Sequence, residues 1–361
     1  MQFTTTQWGN ALLLCLLSLF SAASCAQTAP HSSGVILLYH HVSADTPRST
    51  SITPDQFEQH LNYIAEHYSV VALKDLVAAA RGHGSVPDNA LAITFDDGYE
   101  NILQNGHPLL KKHGFPYTVF INPAVIGKQS DQLSWAQIAT MQQQGATFAN
   151  HTMDHLHLLE KQAGETDQAW LARVWQNISS AENMITEHTG QSLKYLAYPF
   201  GEYNQTLASK LTDNGYVAFG QHSGAVGTFT DMGAIPRFPA AGPYANLDTL
   251  KTKMASLAMP VIDTSLQNPQ VSQRQLNDPI SITLNEDAAA KIRLAQVACY
   301  FQGQRLPVEV ADNHFEFTLS STLPVGRSRV NCTAPSNQLS GRFYWYSMPF
   351  FVATDEGKYP D

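Results

Sequence analysis

Two adjacent carboxylates at a predicted strand end are the residues best placed to do chemistry. Residues 94–98 read T-F-D-D-G and follow the apolar run 91–93, which predicts a buried parallel strand that opens into a loop. Neighbouring side chains at a strand end point in different directions, so one of the two carboxylates, Asp96 or Asp97, can hold a metal while the other faces a substrate. Taken alone, the pair also fits an ordinary Asp-Asp-Gly surface turn.

A pair of histidines follows a second strand-like run, residues 146–150. His151 and His155 stand four positions apart, and such imidazoles converge on one metal when their segment is turn-like or helical. One Asp and two His leave a coordination position open, as in catalytic rather than structural metal sites. A third apolar run ends in a Pro/Gly turn at residues 198–201.

These three segments, in this order, resemble the motifs of the polysaccharide deacetylases of carbohydrate esterase family 4, whose shared region is the NodB homology domain. The first motif, T-F-D-D-G, is unchanged, and the second, H-[ST]-x-x-H, is matched by residues 151–155. The third, R-x-P-[FY], is matched only in part, because Ala197 stands in place of the arginine. The resemblance covers residues 34–260 and implies an α/β fold, a distorted (β/α) barrel with fewer than eight strands.

The resemblance also implies roles for the matched residues. The metal ligands would be Asp97, His151 and His155, and Asp96 would be the general base. The backbone N–H of Phe200 would stabilise the oxyanion, while Tyr198 and Pro199 would lie on the substrate side of the same loop. A site of two His and one carboxylate suits Zn²⁺, our default expectation, and also Co²⁺, Ni²⁺ or Fe²⁺.

The general acid of the family comes from a fifth motif, L-x-H, which ends the last strand of the usual domain. No such strand end follows the third motif here, but residues 38–40 fit it near the N-terminus. We therefore expect a circularly permuted order, which resembles the poly-N-acetylglucosamine deacetylases, with His40 as general acid. His222, near the place of the missing fourth motif, is the alternative acid or a residue of the substrate pocket.

Arg237 lies in a segment that reads I-P-R-F-P, residues 235–239. Because Ala197 cannot orient the base carboxylate, Arg237 is expected to replace the missing arginine and keep Asp96 ionised by charge-assisted pairing. The alternative interpretation is a surface or structural arginine.

The length and composition of the chain indicate two ordinary globular domains. The chain has 361 residues, of which 43% are hydrophobic and 14% charged. A net charge of -9 argues against binding to nucleic acid and to anionic membrane surfaces. Strand and helix patterns alternate, which predicts a parallel sheet, and residues 167–189 read as a helix pair.

The N-terminus predicts export. Residues 11–23 are apolar but too short to span a bilayer comfortably, so residues 1–26 read as a signal peptide, although no Lys or Arg precedes the apolar run. Residues 22–25 resemble a lipobox, so a lipid anchor at Cys25 and cleavage after Ala26 both remain open. No later transmembrane segment is expected, and the mature protein would be periplasmic or secreted.

Beyond residue 260 the pattern changes. A polar stretch predicts a linker over residues 261–278, and short alternating segments predict a small β-sandwich over residues 279–361. Cys299 and Cys332 form an even pair in an exported chain, which predicts a disulfide. The aromatic run 344–346 either stacks on sugar rings or packs in the core.

The predicted function is metal-dependent hydrolysis of N-acetyl groups on a polysaccharide, an exopolysaccharide such as poly-N-acetylglucosamine or chitin-like oligomers. The enzyme alternatives are peptidoglycan or an O-acetylated polymer such as xylan as substrate. From other classes, the chain could be a non-catalytic glycan-binding protein on a deacetylase scaffold, or an exported metal-binding or structural protein.

Overall fold

The computed structural model describes residues 1–4 and 33–360. Most of the predicted signal peptide, including Cys25, therefore lies outside the described residues. No helix in the described part of the chain has both the length and the apolar character needed to cross a membrane.

A curled sheet of mainly parallel strands forms the first part of the molecule. Its main path has the order β10-β1-β5-β6-β7-β8-β9, in which only the β10–β1 pair is antiparallel. The short β4 and β11 pair in parallel with β5 and β1, and β2 pairs separately with β3. The strands are β1 (Gly34–Tyr39), β2 (His41–Val42), β3 (Ser51–Ile52), β4 (Ser69–Val70), β5 (Ala90–Phe95), β6 (Tyr117–Ile121), β7 (Ala146–Asn150), β8 (Tyr195–Ala197), β9 (Val217–Phe219), β10 (Ala225–Val226) and β11 (Phe238–Pro239).

One segment brings the two ends of this sheet together. Ile235 bridges Phe219 at the end of β9, and three residues later Phe238 pairs with Leu37 of β1. The sheet therefore curls into a distorted barrel, which confirms the predicted fold class. The N-terminal strand β1 lies between β5 and β11.

The helices begin where the sequence offers capping groups. Thr53 and Ser134 each form a capping box with the glutamine three residues later, and so start α1 and α4. The predicted helix pair over residues 167–189 is wrong: this stretch is one helix, because it contains neither Gly nor Pro to break it. The helices are α1 (Pro54–His67), α2 (Leu73–Ala80), α3 (His107–His113), α4 (Trp135–Gln143), α5 (Asp167–Thr189), α6 (Gln205–Asp213), α7 (Leu247–Met254) and α8 (Glu286–Ala289), with a π-helical turn at Ile102–Gly106 and 3₁₀ turns at Pro199–Gly201, Gly242–Tyr244 and Leu294–Gln296.

Successive side chains of the barrel strands point to opposite faces of the sheet, so they pack into two separate hydrophobic clusters. Leu37 and Ile93 belong to a cluster with the apolar residues of α1, α3 and α4. Their neighbours Ile36 and Ala92 belong to another cluster, which includes Phe120 from β6. Because successive side chains in a strand point to opposite sides, one short apolar strand supplies both clusters.

The C-terminal part is a sandwich of two sheets, as predicted. One sheet has the order β12-β20-β19-β15-β16 and the other β13-β14-β18-β17. Large apolar residues from both sheets, such as Phe315 and Phe350, form a shared core. The strands are β12 (Leu257–Ala258), β13 (Val261–Thr264), β14 (Ile280–Leu284), β15 (Ala298–Phe301), β16 (Gln304–Arg305), β17 (Val308–Ala311), β18 (His314–Phe317), β19 (Gly326–Pro335) and β20 (Phe343–Val352).

The predicted disulfide between Cys299 and Cys332 is present, with an S–S distance of 2.03 Å. The two cysteines are register partners in β15 and β19. The disulfide therefore joins neighbouring strands of one sheet and does not cross between the two sheets.

The predicted linker over residues 261–278 needs a correction. Its first residues form β13, which pairs with β14 along the edge of the sandwich, and β12 already pairs with β20. Residues at an edge strand are half exposed and need no apolar alternation, so composition alone does not identify β13 as a strand.

The aromatic run 344–346 is half-buried and packs against its neighbours in the sandwich and the barrel. The ring of Trp345 meets Phe238 of β11 edge to face, at 5.3 Å between centroids, while Tyr344 and Tyr346 pack against the sandwich core. The structure therefore favours packing over an exposed sugar platform, and Trp345 joins the sandwich to the barrel.

Candidate metal centre and groove

Asp97, His151 and His155 converge at the carboxyl ends of β5 and β7. The carboxylate atom Asp97 Oδ1 lies 3.2 Å from His151 Nε2 and 3.3 Å from His155 Nε2. One ligand atom from each residue fits within a group no wider than 4.8 Å. The two segments, which lie far apart in the sequence, thus meet at one point.

This donor set fits a divalent metal. Asp97 Oδ1 and His151 Nε2 are buried and make no hydrogen bond, although they lie close together. Two ligands at zinc bond lengths of about 2.0–2.1 Å and a tetrahedral angle stand roughly 3.3 Å apart, which is the spacing observed here. Unpaired buried polar atoms are costly, and a cation between them removes that cost.

The orientation of His151 is fixed from behind. Its Nδ1 lies 2.8 Å from the carbonyl oxygen of Ala197, and donating a proton there leaves the Nε2 lone pair directed at Asp97. Ala197 therefore supports a metal ligand through its backbone.

Asparagines that the sequence analysis missed hold the loop after β7. Asn150 accepts from the N–H of Thr152 at 2.8 Å and donates to Glu182 at 3.0 Å. Asn122 donates to the carbonyls of His151 and Thr152. An asparagine directly before the first histidine was the available signal, since Asn side chains often bond to nearby backbone.

Several non-glycine residues of the site adopt left-handed backbone conformations. The φ angles are 72° at Asp97, 70° at Thr152, 58° at His155 and 57° at Phe200. Such conformations are unfavourable for residues with a Cβ and persist where the surroundings impose them, which is common at functional sites.

Asp96 forms a fully buried ion pair with Arg237. The Nη1 and Nη2 atoms of the guanidinium donate to the two carboxylate oxygens at 2.7 and 2.8 Å, and both side chains are 0% exposed. Arg237 also donates through Nε to the carbonyl of Gly220. Burial by itself raises the pKa of Asp96, but the charge and the hydrogen bonds of Arg237 outweigh it and hold that pKa below its usual value.

A groove of about 650 Å³ opens beside the metal ligands. Asp97 and His155 line it, and His40 lies at its wall close to them. Asp96 is not among the lining residues, so its carboxylate lies behind the groove surface and faces Arg237 instead of an open substrate site.

His222 also lines the groove but in a different environment. Burial, together with the nearby charges of Arg329 and Arg237, lowers the pKa of His222 to about 3. At neutral pH this side chain is therefore a neutral imidazole and not the imidazolium that a general acid needs.

In the loop of the third motif, some residues line the groove and others are buried in the core. Phe200 lines the groove, and its ring stacks on His157 at 3.9 Å and meets His155 edge to face at 4.6 Å. Tyr198 and Pro199 are buried, and the Tyr198 hydroxyl donates to the Gly233 carbonyl at 2.7 Å. Neither Tyr198 nor Pro199 lines the groove, and both residues support the loop from behind.

The sandwich supplies the opposite side of the groove. Arg327 and Arg329 of β19 and the turn at Gln302 and Gly303 line it together with the barrel residues. No pattern in the sequence indicates that β19 reaches the metal-binding side of the barrel.

A comparison with family models finds the polysaccharide deacetylase model over residues 83–219. This range contains the T-F-D-D-G segment and both predicted histidine ligands.

Curated relatives are similar over part of their length. The chain is 28% identical over 203 residues to YxkH of Bacillus subtilis, a putative polysaccharide deacetylase by name, covering 56% of this chain and 66% of that protein. It is 27% identical over 173 residues to the poly-beta-1,6-N-acetyl-D-glucosamine N-deacetylase of Staphylococcus aureus, covering 46% and 59%. The chain thus spans about three fifths to two thirds of the length of these relatives.

Solved structures share the fold. The deacetylase PplD of Streptococcus pyogenes, in complex with acetate, aligns with a TM-score of 0.55 and 20% identity, covering 62% of this chain and 98% of that one. IcaB of Ammonifex degensii aligns with a TM-score of 0.51 and 23% identity, covering 59% and 95%. Nearly the whole of each of these solved chains therefore aligns with about three fifths of this chain.

Proposed function

We propose that the protein hydrolyses N-acetyl groups of a polysaccharide and releases acetate, because residues 83–219 match the polysaccharide deacetylase family model. The observation that carries the proposal is the convergence of Asp97, His151 and His155 on one point beside an open groove. The name of the Staphylococcus aureus relative supports β-1,6-linked N-acetylglucosamine as the substrate.

The three ligands would hold a divalent metal, for which Zn²⁺ is the best match and Co²⁺, Ni²⁺ or Fe²⁺ are alternatives. When bound, such a metal polarises a carbonyl oxygen and lowers the pKa of a water molecule. The donor set and its spacing support this assignment.

The remaining steps fall to side chains and backbone of this chain. Asp96, kept ionised by Arg237, would accept the proton of the attacking water. The N–H of Phe200 would donate to the oxygen on which negative charge develops. His40 would then protonate the departing sugar amine, because amide hydrolysis needs an acid for a poor leaving group.

One observation favours a second candidate, a glycan-binding protein on the same scaffold. Both oxygens of Asp96 bind Arg237, and the carboxylate does not line the groove. A base must reach the water that it activates, so a rigid pair of this kind would leave binding without turnover.

The deciding experiment measures acetate release from acetylated glycans with the purified full-length protein. The panel contains β-1,6 and β-1,4 N-acetylglucosamine oligomers, peptidoglycan and acetylxylan. Each is tested after chelation and after zinc or cobalt is added back. Metal-dependent acetate from an N-acetylated member supports the proposal and identifies the substrate. Glycan binding with a loaded metal and no acetate from any member would support the binding protein instead.

We also propose that the protein is exported, either periplasmic or secreted, with Cys25 as a lipid attachment site or with cleavage after Ala26. The apolar run at residues 11–23 and the disulfide between Cys299 and Cys332 support export. Mass spectrometry of the mature N-terminus distinguishes a diacylated Cys25 from a free residue 27.

A further inference from the structure

A residue of the sandwich contacts the loop that carries Phe200. Arg327 lies on β19, and its Nη1 donates to the carbonyl oxygen of Phe200 at 2.9 Å and to Gln221 Oε1 at 3.0 Å. The contact joins two parts of the chain that are 127 residues apart. It also places a positive charge at the edge of the groove.

Phe200 needs support from its surroundings. Its φ and ψ are 57° and 2°, a left-handed conformation that a Cβ makes unfavourable. On the side-chain end, His155 and His157 hold the ring. The peptide between Phe200 and Gly201 is held at its N–H, which donates to the carbonyl oxygen of Tyr198 at 2.9 Å. The hydrogen bond from Arg327 to the Phe200 carbonyl oxygen holds the opposite edge of the same peptide.

Gln221 completes the same contact from the barrel. A Cβ at Gly201 would lie 2.9 Å from the Cβ of Gln221, so Gln221 packs directly against the turn that follows Phe200. Its side-chain oxygen accepts from the same guanidinium nitrogen as the Phe200 carbonyl. A charged donor makes stronger hydrogen bonds than a neutral one, so Arg327 is well suited to hold both acceptors in place.

We propose that Arg327 is a positioning residue of the deacetylation reaction. By holding the Phe200–Gly201 peptide, it stabilises the left-handed φ and ψ of Phe200, on which the direction of the Phe200 N–H towards the oxygen that becomes negative depends. It thereby makes the sandwich a working part of the active site. The inference rests on the proposed function, because the N–H has this task only if an acetyl group is hydrolysed.

The test uses the full-length, metal-loaded protein and the variants Arg327→Ala and Arg327→Lys. Arg293→Ala, at an exposed arginine of the same domain near the far end of β19, is the matched control. Removing an oxyanion donor outright costs about 100- to 1000-fold in kcat, so misplacing one should cost roughly 10- to 100-fold. We expect this loss in Arg327→Ala, with KM and metal content unchanged, partial recovery in Arg327→Lys, and wild-type kinetics in Arg293→Ala.

A purely structural contact gives a different result. It would lower the melting temperature of Arg327→Ala and leave kcat unchanged, and that outcome overturns the proposal. A raised KM at constant kcat would also overturn it, because it would identify a substrate contact. If the wild type releases no acetate, the proposed function fails as well, whereas an active wild type with an equally active Arg327→Ala removes only this inference.

Hydrogen exchange gives a readout independent of turnover. The amides of residues 200–202 should exchange faster in metal-loaded Arg327→Ala than in the wild type, while amides in β5 and β7 keep their rates. Unchanged exchange in residues 200–202 would contradict the proposal even if activity fell.

Discussion

Asp96 and Asp97 are neighbours in sequence but have different environments. The side chain of Asp97 is 15% exposed and faces two imidazoles, whereas Asp96 is fully buried against Arg237. Both residues follow β5, and the left-handed backbone of Asp97, with a φ of 72°, directs its side chain away from that of Asp96. Two identical carboxylates can therefore do different work.

The first prediction compares these two residues. Asp97→Ala should lose the metal, because it removes one of three ligands. Asp96→Asn should keep one metal per chain and lose about 100- to 10,000-fold in kcat, the usual contribution of a general base. Metal analysis and acetate release measure both effects. Wild-type turnover in Asp96→Asn would remove Asp96 as the base.

The second prediction concerns the general acid. His40→Ala should lower kcat by about 100-fold without releasing metal, since His40 lines the groove beside Asp97. His222→Ala should keep most of kcat, because a group with a pKa of about 3 is not protonated at neutral pH. If His222→Ala shows the larger loss, His40 and the permuted order are both wrong.

At the scale of elements, the turn at Pro199–Gly201 is where local geometry matters most. Gly201 has a φ of 74°, and a Cβ there would lie 2.9 Å from the Cβ and 3.0 Å from the backbone nitrogen of Gln221. Gly114, which ends α3, has a similar φ of 67°, but a Cβ there would meet no neighbouring atom within 4 Å in the described part of the chain. The two glycines share a left-handed backbone and differ in crowding.

The third prediction uses this difference. Gly114→Ala should lower the free energy of unfolding by about 1 kcal/mol, the cost of a left-handed alanine. Gly201→Ala should cost roughly 2–4 kcal/mol, since overpacking adds to that strain, and should lower kcat by displacing Phe200. Urea unfolding and acetate release test both. Equal losses in the two variants would mean that Gln221 yields without cost.

On the scale of the whole molecule, the sandwich and the barrel are joined at several points. Trp345 packs on Phe238, and Arg342 donates to the carbonyl of Ala255 at 2.8 Å. Together with Arg327 at the groove, these contacts favour one working unit over a catalytic domain with a detached module.

The fourth prediction concerns the disulfide. It closes a loop with a sequence separation of 33, so the double variant Cys299→Ala/Cys332→Ala should lose about 2–4 kcal/mol of unfolding free energy. Metal content should not change, because the metal ligands lie in the barrel. Thermal unfolding with and without reductant is the measurement. Loss of metal in the double variant would show that the sandwich stabilises the metal ligands as well as the groove.

Much of the fold and of the metal site could be predicted from the sequence, because it depends on short local segments. Some features depend on residues close in sequence: the strand before Asp96 and Asp97, and the capping boxes of α1 and α4. The disulfide could be predicted because an exported chain has an even number of cysteines after its signal peptide. The family resemblance rests on such short segments too, so the barrel and the three metal ligands could be predicted together.

The tertiary structure alone decided what depends on distant partners. It withdrew Asp96 from the groove surface and buried Tyr198. It turned the start of the linker into an edge strand and brought Arg327 to Phe200. None of these contacts leaves a periodic pattern, because each depends on how the closed barrel and the sandwich meet in space.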